Sequence, residues 1–269
     1  MTHSAELQAE QNAKKMQRLK DKVILVAGAG RIGGALASRY ATEGAQVVLA
    51  DIDLDSAEAM VSQISQNGGE AVAVHLDGSK EQSVETAIAG CIEAYGGLDG
   101  LHANFASLAD SNPELSILEL PLEVFDEVQQ VNARGFYLCT RAALPHILKR
   151  GGGSIVYTSS AAAYSSGTGQ VAYAMAKSAG HALMRHVAQR FGPEGVRANT
   201  IAPALTLPED FDALLPPEFL DMAKSAAAIK SRIGRPADIA AMGALLLSDE
   251  GAYITGQVIS IDGGTIMRA

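Results

Sequence analysis

Five consecutive apolar residues, Val23-Ile24-Leu25-Val26-Ala27, end abruptly in Gly28-Ala29-Gly30. A short unbroken run rich in β-branched side chains reads as a strand covered on both faces, since a half-exposed strand would alternate with polar residues. An alanine-rich helical pattern follows to about Thr42, then a second apolar run, Val47-Val48-Leu49-Ala50, which closes on Asp51. This is a β-α-β unit. Helical periodicity over 55–67 leads through Asn67-Gly68-Gly69 to a strand at 71–75, and that over 80–95 leads through Gly96-Gly97 to a strand at 101–103. Two helices are expected next, near 121–130 and 133–149, the second closed by Gly151-Gly152-Gly153. A strand at 154–158, a helix through Tyr173 to about Arg190, a strand at 197–201, a helix at 236–247 and a strand at 257–261 complete the series. About seven strands alternating with helices predict an α/β fold, a doubly wound parallel sheet with helices on both faces.

No composition shift divides the chain, so residues 21–269 are expected to form a single domain. Residues 1–20 are polar, and read either as a tail or as an amphipathic helix packed on a sister subunit. The 269 residues are 48% hydrophobic, enough for a large core, and the net charge of -9 argues against binding a nucleic-acid backbone. No apolar run approaches the roughly 18 residues of a membrane span, and the polar N-terminus has no signal-like core. Cys91 and Cys139 lie in helical stretches without metal spacing and read as packed, reduced thiols, which suits a cytoplasmic protein. His146, His181 and His186 have no ligand partners at metal spacing, so no metal is expected, and His102 reads more simply as a packed core residue.

Gly28, Gly30 and Gly33 carry the spacing Gly-x-Gly-x-x-Gly between a buried strand and a helix start. Glycines there permit a tight turn and let backbone amides at the helix N-terminus approach a pyrophosphate, the arrangement of a Rossmann-type dinucleotide site. Arg31 and Ile32 lie inside the turn. Asp51, at the end of the second strand, is placed to accept from an adenosine ribose and to repel a 2'-phosphate, which favours NAD over NADP. Arg31 pulls the other way, as a cation able to attract that phosphate. As alternatives, Asp51 is a turn or capping residue and Arg31 is merely solvated.

Tyr173 and Lys177 stand one helical turn apart, on the same face of their helix. At about 5 Å and an effective dielectric of about 20, an ammonium would favour a phenolate by roughly 3 kcal/mol, a little over two pKa units. The pair is thus a candidate general acid/base.

With the glycine turn, Asp51 and Tyr173-x-x-x-Lys177 in this order, the chain from about residue 20 onward resembles the short-chain dehydrogenase/reductase family, in its compact single-domain branch. Further stretches match: Asp77 after the third strand, Leu98-Asp99, Asn132 in Val131-Asn132-Ala133-Arg134-Gly135, Ser154 to Ser160, Val196 to Pro203, and Thr255 to Gly264. The resemblance implies a tetrad of Asn132, Ser160, Tyr173 and Lys177. Ser160 would steady the substrate oxygen, Tyr173 would move its proton, Lys177 would bind the nicotinamide ribose, and Asn132 would hold a water leading from Lys177 to solvent. It also implies that Asp77 and Gly78 meet the adenine, that Asn104 lies near the cofactor ribose, and that Pro203 and Thr206 border the cofactor. The family expectation is a homotetramer assembled through the helices that carry Asn132 and Tyr173. Departures exist. The glycine turn is one residue shorter than the family's usual form, Ala27 replaces a common Thr, Ala103-Asn104-Phe105-Ala106 replaces Asn-Asn-Ala-Gly, and Ala204 follows Pro203.

The expected function is an NAD-dependent interconversion of a secondary alcohol and a ketone. Residues 205–230 form a long apolar connection, with Leu207, Phe211, Leu214, Phe219 and Met222, that reads as a lid over a hydrophobic or alicyclic substrate. A hairpin packed on a neighbouring subunit is the alternative for that segment. Two other functions share the scaffold. One is a cofactor-independent lyase or dehalogenase, against which the intact turn, Asp51 and Lys177 all speak; the other is a non-catalytic nucleotide-sensing regulator, which the complete tetrad disfavours.

Overall fold

A computed structural model describes residues 17–112, 116–165 and 170–267. The expected tail therefore lies outside the described residues as far as residue 16. Residues 17–20 are packed: Leu19 is buried and donates its N–H to the Glu43 carbonyl, and the Arg18 guanidinium holds both Glu43 carboxylate oxygens at 2.6 and 2.7 Å.

Seven parallel strands form one sheet in the order β3-β2-β1-β4-β5-β6-β7. They are β1 (Val23–Ala27), β2 (Gln46–Asp51), β3 (Glu70–His75), β4 (Gly100–Ala103), β5 (Gly153–Thr158), β6 (Val196–Pro203) and β7 (Val258–Ile261). The helices are α1 (Arg31–Thr42), α2 (Leu54–Gln66), α3 (Glu81–Tyr95), α4 (Leu122–Val128), α5 (Gly135–Lys149), α6 (Val171–Phe191), α7 (Pro217–Ser225) and α8 (Pro236–Leu247). Alternate residues of β1 enter opposite cores. Val23, Leu25 and Ala27 join one with α3, α5 and α6, while Ile24 and Val26 join the other with α1 and α8. The uninterrupted apolar run follows from that double burial.

The helical layer around α4 differs from expectation. Instead of two helices with a break near 131, the chain stays helical from Leu122 to Lys149 through a π-turn at Gln129–Arg134. No Gly or Pro interrupts 122–134, so nothing ends the helix; one residue is absorbed as a wide turn, a device frequent at functional sites. Asn132 sits in that turn.

His102 has the packed environment expected of it. It is fully buried on β4 between Tyr40 of α1, whose hydroxyl lies 2.7 Å from Nδ1, and Thr158, whose Oγ1 lies 2.9 Å from Nε2. Burial pushes its pKa down to about 3, so it stays neutral.

The stretch read as a lid leaves the end of β6, pairs Thr206 with Gly234 in an isolated bridge, forms a 3-10 turn at Glu209–Leu214 and then α7. Arg235 anchors it. That guanidinium holds both oxygens of Asp212 at 2.9 and 2.6 Å and donates to the carbonyls of Leu207 and Pro208. Substituting Arg235→Ala should therefore leave the sheet intact but loosen the lid, with limited proteolysis cutting first between 205 and 230 and KM rising more than kcat falls.

Candidate active site

The sheet reverses direction of winding between β1 and β4, and the carboxyl ends of those strands open a crevice, the usual ligand position in such sheets. Gly28 follows β1 with φ +105°, and a side chain there would collide with the Phe105 backbone at 2.6 Å. A Cβ on Gly33 would lie 1.7 Å from the Gly28 carbonyl, so α1 can start this close to the strand only with glycine. At Gly30 the Cβ direction meets nothing within 4 Å. The α1 N-terminus has no side-chain cap and no acidic residue in its first turn, which leaves its amides and positive dipole end available to an anion.

Beside the turn, a cavity of about 270 Å³ is lined by Gly28, Asp51, Ile52, Gly78 and Asn104 among others. Asn104 donates from Nδ2 to the Gly28 carbonyl at 3.2 Å, while its Oδ1 is buried without a protein partner. An open glycine cradle, a bare helix start and an orphaned acceptor fit a dinucleotide. Both Asp51 oxygens already accept backbone N–H groups, from Ala29 at 2.5 Å and Asp53 at 2.9 Å. Asp51 holds the turn, and since each oxygen accepts one bond and keeps a further lone pair, its carboxylate also stands ready at the mouth of the cradle. Asp77 is folded into its own turn, accepting from Ser79 and paired with Lys80. Burial raises its pKa, but the Ser79 and Lys80 bonds outweigh that and the net shift is downward. Phe105, where the family pattern has Ala, fits its ring against Gly78 and Gly135, a space any side chain on either glycine would occupy.

The tetrad positions lie on three pieces of chain: the π-turn with Asn132, the turn after β5 with Ser160, and α6 with Tyr173 and Lys177. Lys177 is buried at 1% exposure, donates from Nζ to the Thr158 carbonyl at 2.8 Å, and lies over the rings of Phe136 at 4.6 Å and Tyr173 at 5.5 Å. Ser160 follows β5, caps a short 3-10 turn by accepting from the Ala162 N–H, and stands close enough to the Tyr173 phenol to draw its pKa down against the effect of burial. Asn132 is fully buried, but its side chain is committed to the β4–α4 loop, accepting from the Ser107 N–H at 2.7 Å and donating to the Ser107 carbonyl at 2.9 Å. The amide clamps that loop.

The expected acidification of the phenol does not hold in this setting. Burial raises the Tyr173 pKa, the Ser160 hydrogen bond partly offsets it, and the Asp110 charge adds to the rise. Burial also brings Lys177 down to about 7. A desolvated ammonium that titrates near neutrality loses much of its pull on the phenol.

Arg31 is exposed, as the solvated alternative expects, but it is not without a contact. Its guanidinium lies 4.0 Å above the Phe211 ring, joining the glycine turn to the lid. Ile32 packs against the α1/α8 core, Pro203 ends β6, and Thr206 donates to the Ala204 carbonyl beside its bridge to Gly234. Sequence reasoning missed two groups around the cleft, Ser107 and Asp110, and set Ser159 aside in favour of Ser160. Ser159 Oγ lies 2.7 Å from His181 Nε2, and His181 stacks on Tyr164 with ring centroids 5.1 Å apart. Among the described residues no helix is long and apolar enough to cross a membrane.

A family model described as enoyl-(acyl carrier protein) reductase matches residues 26–265. A probable short-chain type dehydrogenase/reductase of Bradyrhizobium diazoefficiens is 39% identical over 252 residues, covering 93% of this chain and 89% of the relative. The 2,5-dichloro-2,5-cyclohexadiene-1,4-diol dehydrogenase of Sphingobium indicum is 36% identical over 248 residues, 92% of this chain and 97% of that one. Among solved structures, 7 alpha-hydroxysteroid dehydrogenase complexed with NADH and 7-oxo glycochenodeoxycholic acid superposes with a TM-score of 0.85 at 30% identity, covering 95% of this chain and 98% of the other. The sheet order, the glycine cradle and these full-length similarities place the chain in the short-chain dehydrogenase/reductase family of oxidoreductases.

Proposed function

We propose that the protein is an NAD-dependent oxidoreductase interconverting a hydrophobic or alicyclic secondary alcohol and its ketone, with Asn132, Ser160, Tyr173 and Lys177 as its working residues. The observation that carries this reading is the half-buried Tyr173 ring one helical turn from Lys177, whose amine lies 5.5 Å from the ring centroid, with Ser160 close enough to lower the phenol pKa. When bound, the nicotinamide cofactor supplies the hydride acceptor or donor. In alcohol oxidation Tyr173 takes the hydroxyl proton on its phenolate oxygen while the Ser160 hydroxyl donates to the developing ketone oxygen. Lys177 fixes the floor of the site through Thr158, and Asn132 fixes its rim through Ser107.

The lid supports an apolar substrate. Leu205, Leu214, Phe219, Met222 and Ile229 expose much of their surface along this segment. Two of the relatives, by their names, act on ring alcohols, a chlorinated cyclohexadienediol and a hydroxysteroid. A panel of alicyclic alcohols and ketones, followed at the reduced nicotinamide band with both dinucleotides, tests the reading. Turnover of ring alcohols with NAD is expected. Preference for charged sugars or acyl thioesters would overturn the substrate class, and absence of both turnover and NADH fluorescence enhancement would revive the cofactor-independent lyase.

NAD preference rests on the Asp51 carboxylate at the cradle and on the engagement of Arg31 with Phe211. Asp51→Ala should raise the ratio of NADP to NAD efficiency by about 10-fold or more, roughly one like-charge contact near the surface. An unchanged ratio would contradict it. Assembly as a homotetramer is part of the same proposal. Leu122, Tyr137 and Met175 expose apolar surface on α4, α5 and α6, the helices expected at the interface, and sedimentation should report four copies per particle.

A further inference from the structure

The loop between β4 and α4 carries a carboxylate that no role above uses. Asp110 is fully buried. Its Oδ2 accepts the backbone N–H of Tyr173 at 2.9 Å from 63 positions away, while Oδ1 is enclosed and has no hydrogen-bond partner among the described residues. Tyr173 is the third residue of α6, so its N–H is one of the first-turn donors that a helix cannot satisfy internally. Gln170, at the N-cap position, provides no side-chain cap; its Nε2 donates instead to Ser111 Oγ at 2.9 Å. Two adjacent loop residues therefore grip the start of the helix that presents the phenol.

A neutral Ser or Asn satisfies such an amide as well as Asp does, without the cost of enclosing a charge that has a bare oxygen. The charge therefore calls for a role beyond capping. We propose that Asp110 is a positioning residue for Tyr173, fixing the turn that carries the phenol and setting its acidity through the carboxylate charge. The proposal rests on Tyr173 as the acid/base group. The groups facing the phenol support it. From α6 comes Lys177, from the turn after β5 comes Ser160, and from the β4–α4 loop comes Asp110, whereas the side facing α4 and the π-turn presents Phe125 and Ala133. Burial raises the phenol pKa, Ser160 lowers it and the Asp110 charge raises it. Asp110 thus works in the same direction as burial and keeps the phenol a proton donor over a wider pH range.

The test needs no substrate. Ultraviolet difference titration of the wild type minus Tyr173→Phe isolates the tyrosinate transition of this one residue, and the same subtraction is made in an Asp110→Asn background. The midpoint is expected to fall by about one pH unit when the charge is removed and the acceptor kept. Asp110→Ser, a neutral cap of smaller size, should shift it in the same direction and serves if the Asn variant does not fold. Where a substrate is in hand, the rising limb of kcat against pH in alcohol oxidation should move down equally with KM unchanged. A folded neutral variant that titrates at the wild-type pH, with only its Tm lowered, would overturn the proposal and reduce Asp110 to a cap. Retained turnover in Tyr173→Phe would instead overturn the acid/base reading, a result the titration does not depend on.

Discussion

Tyr173→Phe is expected to lower kcat by at least about 10³-fold, within the usual range for losing a general acid/base, while NADH binding stays near that of the wild type. The substitution keeps the ring, which packs beside Phe125 and Ala133 in a small apolar cluster, and removes only the hydroxyl. The glycine cradle, Asn104 and the bare α1 start are separate from that ring, so fluorescence enhancement of NADH on mixing should survive. Ser160 keeps the Ala162 amide, so its turn should hold. Turnover close to the wild-type rate would remove Tyr173 from the reaction.

Lys177→Met should have the largest effect on stability, and in the direction opposite to its effect on activity. In the unfolded chain this amine titrates at its ordinary 10.5, whereas in the folded protein burial brings it to about 7. Between those two values the unfolded chain holds a proton that the folded chain does not, so stability climbs as pH rises from about 7 toward 10.5. Below about 7 both states are charged and the full cost of burying the ammonium applies. The bond to the Thr158 carbonyl and the Phe136 ring offset only part of that cost. Methionine fills much of the same volume without the charge. The variant should melt above the wild type at pH 6 to 7 and lose that advantage toward pH 10, with turnover abolished throughout; thermal melts across this range check the sign. A constant difference in Tm would mean that the amine titrates normally in the folded protein.

The fold was legible because its signals are local. The unbroken β1 run, the glycines after it and the alternation to β7 each depend on neighbours within a few residues, and the seven-stranded parallel sheet follows from them. The helix through Asn132 was less legible, since a π-turn leaves no breaker residue as a trace and a pause in periodicity looks like a break. At the site, Tyr173 and Lys177 were readable from helical spacing, but their protonation was not. Spacing puts the two groups on one helix face, and the amine lies 5.5 Å from the ring centroid. It does not give the desolvation that discharges the amine. Asp110 was invisible for another reason: an acidic residue in a loop, 63 positions from the amide it holds, has no local signature. Likewise Asn132 shows nothing in sequence of the Ser107 backbone that takes up both ends of its amide.

Hydride passage between a docked dinucleotide and a ring carbon is the claim on which the functional account turns, and isotope transfer reads it directly. With NADH deuterated at the transferable nicotinamide position and an alicyclic ketone, deuterium should appear on the new carbinol carbon, on one face only, with none acquired from heavy water in the converse experiment. Alcohol formed without the label, or product labelled from solvent, would contradict it.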